Sequence, residues 1–303
     1  MLEPDRNLPN ETLAHIFSHI SQYNLTKVAL VSHRFNAIAE RVLYSSINIV
    51  QYVYGDKNAP KRVLGWCDAM KRNQLYDVPR KLSIQWEIHD TGIETSKTLR
   101  HSCSLTNDTI RRLTLLDTLE FVMGPSSYDM TPVMELVVCD LRLPNLQHCL
   151  LDGRDIWFSH SKQDAGLVCE FIASHSGLRY LAVLDISETA VEHVPDDAAP
   201  ELSIFYGTPK AAGYILPGRP VHHLLLRGEG VRSENFLSRM ALTSVPLRIL
   251  DLSATLSPSI RDLLDIATHL PTIEILRVSL RQVNWDIPVS RPYFHGRGVK
   301  TFC

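Results

Sequence analysis

The sequence lacks several features that identify other classes of protein. It has no run of about eighteen apolar residues, the length that a membrane-spanning helix requires. Its 31 lysine and arginine residues nearly balance 33 aspartate and glutamate residues, so the net charge is only −2. This balance gives no electrostatic reason to expect nucleic acid or an anionic membrane as a partner. We therefore expect neither nucleic-acid binding nor membrane binding.

Cysteine pairs and a secretory signal are also missing. The six cysteines are scattered along the chain without a C-x-x-C pair. In a chain of this size that distribution is typical of reduced thiols in the protein core. The N-terminal residues show no basic segment followed by an apolar one, so they do not have the pattern of a signal peptide. These features favour a cytoplasmic location, a nuclear location, or both.

Motifs for common catalytic chemistry are absent as well. The sequence contains no phosphate-binding P-loop, no dinucleotide-binding G-x-G-x-x-G and no G-x-S-x-G. His15 and His19 have the spacing of zinc-binding histidines, but the glutamate of H-E-x-x-H is missing. We therefore predict no catalytic residues, no metal, no cofactor and no enzymatic activity. A hydrolase or transferase would instead require a deep pocket with clustered His, Asp or Glu, and Ser or Cys.

Residues 1–50 have the pattern of three short helices. The first carries an apolar stripe at positions i, i+3, i+4 and i+7, formed by Leu13, Ile16, Phe17 and Ile20. Asn10, Asn24 and Ser32 stand where each could cap one of the helices. Three helices of this length cannot bury all their apolar surface. Some of that surface is therefore expected to contact a partner or the rest of the chain.

Residues 51–290 alternate short apolar elements with helical patterns. A strand is predicted over 44–53 and a surface connector over 51–62. An L-x-x-L-x-L-like element then recurs, and its middle positions in the last three copies (224, 250 and 276) are 26 residues apart. The copies are Leu116/Leu119/Phe121, Leu146/Cys149/Leu151, Leu178/Leu181/Val183, Val221/Leu224/Leu226, Leu247/Leu250/Leu252 and Ile273/Leu276/Val278, with an earlier copy at Leu82/Ile84 and a truncated one at Leu202/Phe205.

This alternation predicts an α/β fold with a parallel sheet covered by helices. Repetition at a spacing of roughly 20 to 29 residues favours a curved solenoid over a doubly wound sheet. The region 85–110 fits either a long loop or an irregular repeat. Residues 291–303 are expected to form a C-terminal tail or a cap.

The N-terminal segment resembles the F-box family over roughly residues 7–47. The order of its residues fits the family pattern L-P-x-E-x-L followed by V-S-x-x-F/W. Two positions depart from that pattern: Phe35 stands where many members have Trp, and Gln22-Tyr23 replaces the more usual charged residues. The matching residues are Leu8-Pro9, Glu11, the stripe of the first helix, Leu25, Val28 to Ser32, Phe35, Ile38 and Leu43-Tyr44.

The resemblance implies docking onto a Skp-family adaptor, which tethers F-box proteins to a cullin–RING ubiquitin ligase. The adaptor would contact apolar anchors on the helix faces. The contact residues implied are Leu8, Pro9, Ile16, Ile20, Leu25, Val31 and Phe35. The alternative is that the stripes pack only within the bundle and against the repeats.

The body resembles the divergent leucine-rich repeats that accompany F-boxes in many fungal proteins, including basidiomycete ones. The likeness is greatest at Gly218 to Val221, the strand entry after an Ala/Gly-rich helix. The Asn or Cys of a standard repeat is replaced by Ile186, Glu229 or Thr255, so we expect an irregular solenoid. Polar loops after the strands, at 152–155, 187–189 and 227–229, are either a recognition rim or solvated turns.

Together the two resemblances imply the substrate-recognition subunit of an SCF-type ubiquitin ligase. Its repeats would bind an unknown target protein, and other subunits would supply catalysis. The alternative is a protein-interaction scaffold that acts outside a ligase through its repeat face. The sequence identifies neither the target nor the residues that contact it.

Overall fold

A computed structural model of the chain describes residues 8–54, 60–89, 93–123, 133–153, 165–184, 191–228, 234–255 and 259–279. The helices of this part of the chain are α1 (Asn10–Ser18), α2 (Gln22–Val28), α3 (His33–Ser45), α4 (Lys61–Asn73), α5 (Ile93–Ile110), α6 (Val133–Val138), α7 (Ala165–Ala173), α8 (Pro209–Ile215), α9 (Glu234–Met240) and α10 (Ile260–His269). The strands are β1 (Ser46–Tyr54), β2 (Lys81–His89), β3 (Thr118–Met123), β4 (His148–Asp152), β5 (Tyr180–Leu184), β6 (Ile204–Gly207), β7 (His223–Gly228), β8 (Ile249–Thr255) and β9 (Ile275–Val278).

The strands form one parallel sheet in which neighbours in space are also neighbours along the chain. Parallel neighbours need a crossover connection, and a helix supplies it between most consecutive strands. Most of these helices also contact the next helix along the chain. The region after α3 is therefore an α/β structure whose order is consistent with a repeat solenoid, and the predicted parallel sheet is confirmed.

The middle positions of the predicted repeats occupy a single row across the sheet. The sheet register pairs them successively, from Leu82 on β2 to Leu276 on β9. Every member before Leu276 is at most 1 % exposed, because the row faces the helices. The row is Leu82, Leu119, Cys149, Leu181, Phe205, Leu224, Leu250 and Leu276. The sheet register thus confirms the predicted alignment of the repeat copies, including the truncated copy at Leu202/Phe205.

The entries to consecutive strands are joined by a repeated set of backbone hydrogen bonds. The Arg80 carbonyl accepts the N–H groups of Asp117 and Thr118 at 2.9 and 3.0 Å. The same arrangement recurs at the carbonyls of Asp117, Gln147, Arg179, Ser203, His222 and Arg248. We call this series the entry ladder. It begins in the N-terminal helices, because the Arg80 N–H donates to the carbonyl of Ser45, the last residue of α3, at 2.8 Å.

One repeat departs from the others between β5 and β6. Residues 191–202 form turns there, and a buried arginine from beyond α8 holds them in place. Arg219 is 1 % exposed, and its Nε donates to the Ala198 carbonyl at 2.8 Å. Its other nitrogens donate to the carbonyls of Pro195, Ile215 and Pro217. The guanidinium therefore fastens the turns to the end of α8 through backbone carbonyl oxygens.

The helix caps differ in part from those predicted. Ser32 caps α3 as expected, accepting the Phe35 N–H at 3.1 Å. The prediction for Asn24 was wrong, because α2 begins earlier and Ser21 accepts the Asn24 N–H at 3.4 Å. The prediction for Asn10 was also wrong: Pro9 is the N-cap of α1, without a side-chain cap.

Element boundaries also differ in places. The first strand is Ser46–Tyr54 rather than 44–53, because α3 continues to Ser45. Most of the ambiguous region 85–110 is occupied by the end of β2 and by α5. Residues 55–59 of the predicted connector and all of 280–303, including the predicted tail or cap, lie outside the described residues.

Five cysteines are described, and all of them are free thiols. Cys67, Cys103, Cys149 and Cys169 are buried, which confirms the prediction of core thiols. Burial raises the pKa of Cys103 to about 12, so this thiol stays protonated at neutral pH. No helix in the described part of the chain combines the length and apolar character needed to cross a membrane.

Candidate protein-binding site

Helices α1, α2 and α3 form a small bundle, which we call the head. Its buried residues form a core of their own, separate from the core of the sheet and its helices, which we call the body. The Phe17 and Phe35 rings meet edge to face with centroids 5.3 Å apart. The buried head residues are Leu13, Phe17, Leu25, Ile38 and Ala39. A core of this size leaves much of the head's apolar surface outside it.

Arg34 joins the start of α3 to the start of α1. Its Nε donates to the side-chain oxygen of Asn10 at 2.9 Å, and its Nη2 donates to the Leu8 carbonyl. Asn10 thus serves as a partner for Arg34 instead of capping its own helix. Because Val31 lies just before Ser32, the N-cap of α3, these bonds hold Leu8 and Val31 at the same end of the head.

The head exposes large apolar side chains to an unusual degree. Half of the large exposed apolar residues in the described part of the chain lie within residues 8–31. Leu30 is 87 % exposed, and Ile16, in the middle of α1, is 44 % exposed. The exposed head residues are Leu8, Ile16, Tyr23, Leu30 and Val31. Such a concentration of apolar surface is typical of a protein interface.

The predicted adaptor contacts fall into three groups. Leu8, Pro9, Ile16 and Val31 are exposed, whereas Ile20 and Phe35 are half-buried and pack against the head core. Leu25 is only 2 % exposed, so its assignment as a surface contact is corrected: it is part of the head core. In a helix of seven residues the apolar spacing did not distinguish the inner face from the outer one.

Sequence reasoning missed two exposed head residues. Leu30 belongs to the matched family pattern but had not been named as a contact, although it precedes Val31 in the turn before α3. Tyr23 belongs to the pair that departs from the family pattern; it lies in α2 and is 70 % exposed. The Lys27 ammonium lies over the Tyr23 ring, 4.3 Å from its centroid. An apolar residue at a turn before a capping serine was the available signal for Leu30.

The described part of the body leaves the exposed head residues uncovered. The last helix of the head runs directly into β1, and the two elements contact each other. Near this junction Arg41 and Asp77 form an exposed ion pair at 3.3 Å. Leu8, Ile16 and Val31 nevertheless remain exposed, so the alternative in which the stripes pack against the repeats does not describe these residues.

The body offers a second candidate surface, the face of the sheet turned away from the helices, which we call the open face. On β1–β3 its first two register rows are polar: Ser46, Asn48, Lys81, Ser83, Thr118 and Glu120. On β4–β8 the same rows become largely apolar and aromatic, with His148, Leu150, Tyr180, Ala182, Ile204, Tyr206, His223, Leu225, Ile249 and Asp251.

Charges at the two ends of the open face are paired within the chain. Lys81 forms an ion pair with Glu120, and Arg277 forms one with Asp251 at 3.4 Å. Although burial acts to raise the pKa of Asp251, hydrogen bonds from Ser253 and Arg277 hold that pKa below its ordinary value. Burial, with Tyr206 and Glu120 nearby, raises the pKa of Tyr180. The open face therefore carries paired charges at neutral pH.

The predicted rim loops are only partly described. Asp152 and Gly153 are buried at the end of β4, and Arg227 and Gly228 are half-buried at the end of β7. Loop 187–189 and the remaining residues of the other two loops lie outside the described part of the chain. Within that part, no group of three His, Cys, Asp or Glu side chains is arranged to hold a metal ion. The His15 and His19 rings contact each other edge to face, with centroids 4.9 Å apart.

Comparison with protein families places one match on the head. Residues 5–50 match the F-box-like family model, a segment that extends from before α1 into β1. A search of curated proteins finds no significant match to the chain. The family resemblance noted in the sequence is thus supported for the N-terminal segment, and the leucine-rich-repeat and fungal resemblances of the body are not covered by it.

Proposed function

We propose that this chain is the substrate-recognition subunit of an SCF-type cullin–RING ubiquitin ligase. The head binds a Skp-family adaptor, and the adaptor links the chain to the cullin. The body binds a target protein, so that other subunits can transfer ubiquitin to it. The chain needs no catalytic residue, metal or cofactor for this role.

One observation carries the proposal: an F-box-like segment exposes its apolar residues instead of burying them against the rest of its own chain. Leu8, Ile16 and Val31 are available as anchors, and Arg34 holds Leu8 close to the end of the head that carries Val31. Leu30 and Tyr23 extend the apolar surface and join the proposed contacts. Pro9, Ile20 and Phe35 complete the set, while Leu25 supports it from within the core.

We assign the body to divergent leucine-rich repeats. The assignment is supported by the sequential parallel strands, by the single buried row from Leu82 to Leu276, and by the repeated bonds of the entry ladder. The spacing between its last copies lies within the range of such repeats. A solenoid of this kind presents an extended sheet face, which suits the binding of another protein.

The adaptor interaction can be tested by a pull-down of the purified chain with a Skp-family adaptor. The variant Leu8→Asp/Ile16→Asp places two charges on exposed positions, so it should remain folded by circular dichroism and lose adaptor binding. A matched control is Leu242→Asp/Leu264→Asp, which makes the same change at positions of the body that are 59 % and 50 % exposed. The control should bind the adaptor as well as the wild type does.

A second function remains as the alternative: a protein-interaction scaffold that acts outside a ligase. It predicts that the wild-type chain does not bind the adaptor at micromolar concentrations, although it is folded. Equal loss of binding in the head variant and in the body control would also contradict the proposed interface.

A further inference from the structure

In its first two register rows, the open face changes from polar to largely apolar side chains between β3 and β4. Parallel strands are rich in apolar residues in general, so an apolar face alone would say little about function. In this sheet, however, strands β1–β3 can be compared with strands β4–β6. One register row runs from Asn48, Ser83 and Glu120 to Leu150 and Tyr206. Its first three positions are polar, so the strand geometry does not by itself require apolar residues in this row.

The apolar part of this face consists of half-buried side chains on consecutive strands. Ile204 and Tyr206 lie on β6, Leu225 lies on β7 and Ile249 lies on β8, with Tyr180 before them on β5. We call these five residues the apolar stretch. The sheet register places Tyr206 directly beside Leu225. Adjacent, half-buried apolar and aromatic side chains on neighbouring strands are typical of a binding surface.

The charges around the apolar stretch restrict what can bind there. The pair Lys81–Glu120 lies on the β1–β3 side, and the pair Asp251–Arg277 lies on the β9 side. Further along the strands, Asp152 and Arg227 add one acid and one base to the same face. On β4–β9, where the apolar stretch lies, the described acids Asp152 and Asp251 are matched by Arg227 and Arg277, whereas Glu87 lies apart from them on β2. This part of the face therefore has no excess charge with which to attract a charged ligand.

The same charge argument disfavours the C-terminal residues of the chain as occupants. Residues 280–303 contain four basic residues (Arg281, Arg291, Arg297 and Lys300) and one acidic residue, Asp286. A segment with this net positive charge gains no electrostatic complement from the balanced charges that flank the apolar stretch on β4–β9.

We infer that the apolar stretch binds a segment of the target protein that carries adjacent aliphatic or aromatic side chains and no net charge. The inference rests on the proposed function, whose target-binding part it makes specific. Tyr180 and Tyr206 supply large, rigid contact area and hydroxyl groups for the main chain of that segment. Ile204, Leu225 and Ile249 supply the apolar contacts that select its side chains.

The probe for this inference is a phage-displayed library of random dodecapeptides, selected on the immobilised full chain. Enriched sequences should share two or more adjacent apolar or aromatic residues and a net charge near zero. Their synthetic versions are then titrated by fluorescence anisotropy against the wild type and two variants. Leu225→Glu should weaken binding by about tenfold or more, because it places a charge within the apolar contact.

The matched control is Ser83→Glu, which adds the same charge in the same register row on the polar part of the face. Its affinity should stay within about twofold of the wild type, since rim charges contribute little to affinity. If Leu225→Glu is unfolded by circular dichroism, Tyr206→Ser replaces it with the same expectation. Enrichment of strongly charged peptides, no enrichment at all, or equal effects of Leu225→Glu and Ser83→Glu would overturn the inference.

Two further measurements distinguish the remaining occupants and hypotheses. A dimer seen by light scattering and abolished by Leu225→Glu would assign the face to a second copy of the chain and overturn the inference. Peptide binding without adaptor binding would support the inference while contradicting the ligase role. Adaptor binding by a chain that captures no neutral apolar peptide would support the ligase role and contradict the inference.

Discussion

The head and the body use apolar side chains for opposite purposes. In the body, the buried row and the residues around it form one continuous core that extends from β1 to α10. In the head, five buried residues form the core while five large apolar residues remain exposed. The body thus has one large core, whereas the head combines a small core with a large share of exposed apolar surface. Exposure of apolar residues is informative here because residues 8–31 are a small part of the described chain and carry five of its ten large exposed apolar residues.

The largest expected effect is a difference in stability loss between a buried leucine of the body and an exposed leucine of the head. Leu250→Ala removes a side chain with 0 % exposure from the buried row and should cost about 3 kcal/mol of unfolding free energy. Leu30→Ala, at a position with 87 % exposure in the head, should change that free energy by less than about 0.5 kcal/mol. Urea unfolding followed by circular dichroism measures both. Similar losses for the two variants would remove the distinction between head and body.

The second prediction concerns the irregular repeat of the body. Arg219→Met should cost about 2–3 kcal/mol, because it removes the guanidinium that donates to the buried carbonyls of Ala198 and Ile215. The control is Arg179→Met, which removes an exposed arginine whose ion pair with Glu201 spans 3.2 Å. This control should lose less than about 0.5 kcal/mol. Equal stability of the two variants by urea unfolding would show that the guanidinium does not hold the turns.

Much of the body could be predicted from the sequence, because its signal is side-chain periodicity. The L-x-x-L-x-L element specifies which residues face the helices, and it located the row from Leu82 to Leu276 correctly. The entry ladder could not be predicted in this way, because it is made by backbone groups that any residue carries. Arg219 lay within a segment already noted for its family likeness. Its burial was not foreseen because arginine is rarely buried completely.

The head was predictable to a lesser extent. The order of its residues indicated the three helices and the family, and residues 5–50 match the F-box-like model. The separation of surface from core was less successful, since Leu25 was assigned to the surface and is buried. Short helices joined by tight turns have too few residues for periodicity to define an inner face. For the same reason the sequence indicated Asn24 as the cap of α2, whereas the residue that caps it is Ser21.

A third prediction is that the stability of the body depends on pH through a buried histidine. His175 is 2 % exposed, its Nε2 accepts the Leu143 N–H at 3.0 Å, and its Nδ1 lies 2.6 Å from the Phe171 carbonyl. The acceptor role of Nε2 requires a neutral ring, and burial lowers the pKa of His175 below its ordinary value. The unfolded chain therefore binds this proton more readily. Stability should be complete above about pH 6.5 and fall as the pH decreases towards the folded-state pKa.

The measurement is the unfolding free energy between pH 5 and pH 7.5 for the wild type and for His175→Gln. The wild type should lose more stability on acidification than the variant does. Burial also lowers the pKa of His223, so part of the dependence should persist in His175→Gln. Identical slopes for the wild type and His175→Gln would rule out the role of His175.

The smallest expected effect lies at the junction between head and body. Arg41 and Asp77 form an ion pair across it, but both side chains are 62 % exposed. Water screens such a pair, so Asp77→Ala should change the unfolding free energy by less than about 0.5 kcal/mol. A larger loss would mean that the junction depends on this contact and not on the continuous backbone between α3 and β1.

The entry ladder also fixes the distance along the sheet between the head and the apolar stretch. The first acceptor in this series is the carbonyl of Ser45, the last residue of α3, so the series is attached directly to the head. Neighbouring strands are spaced by about 4.8 Å, which places Tyr206 on β6 about 24 Å along the sheet from β1. Insertions in the helices or loops would leave this span unchanged, whereas gain or loss of a whole repeat would change it by one strand spacing. The number of repeats, and not the length of the chain, therefore sets how far the apolar stretch lies from the head.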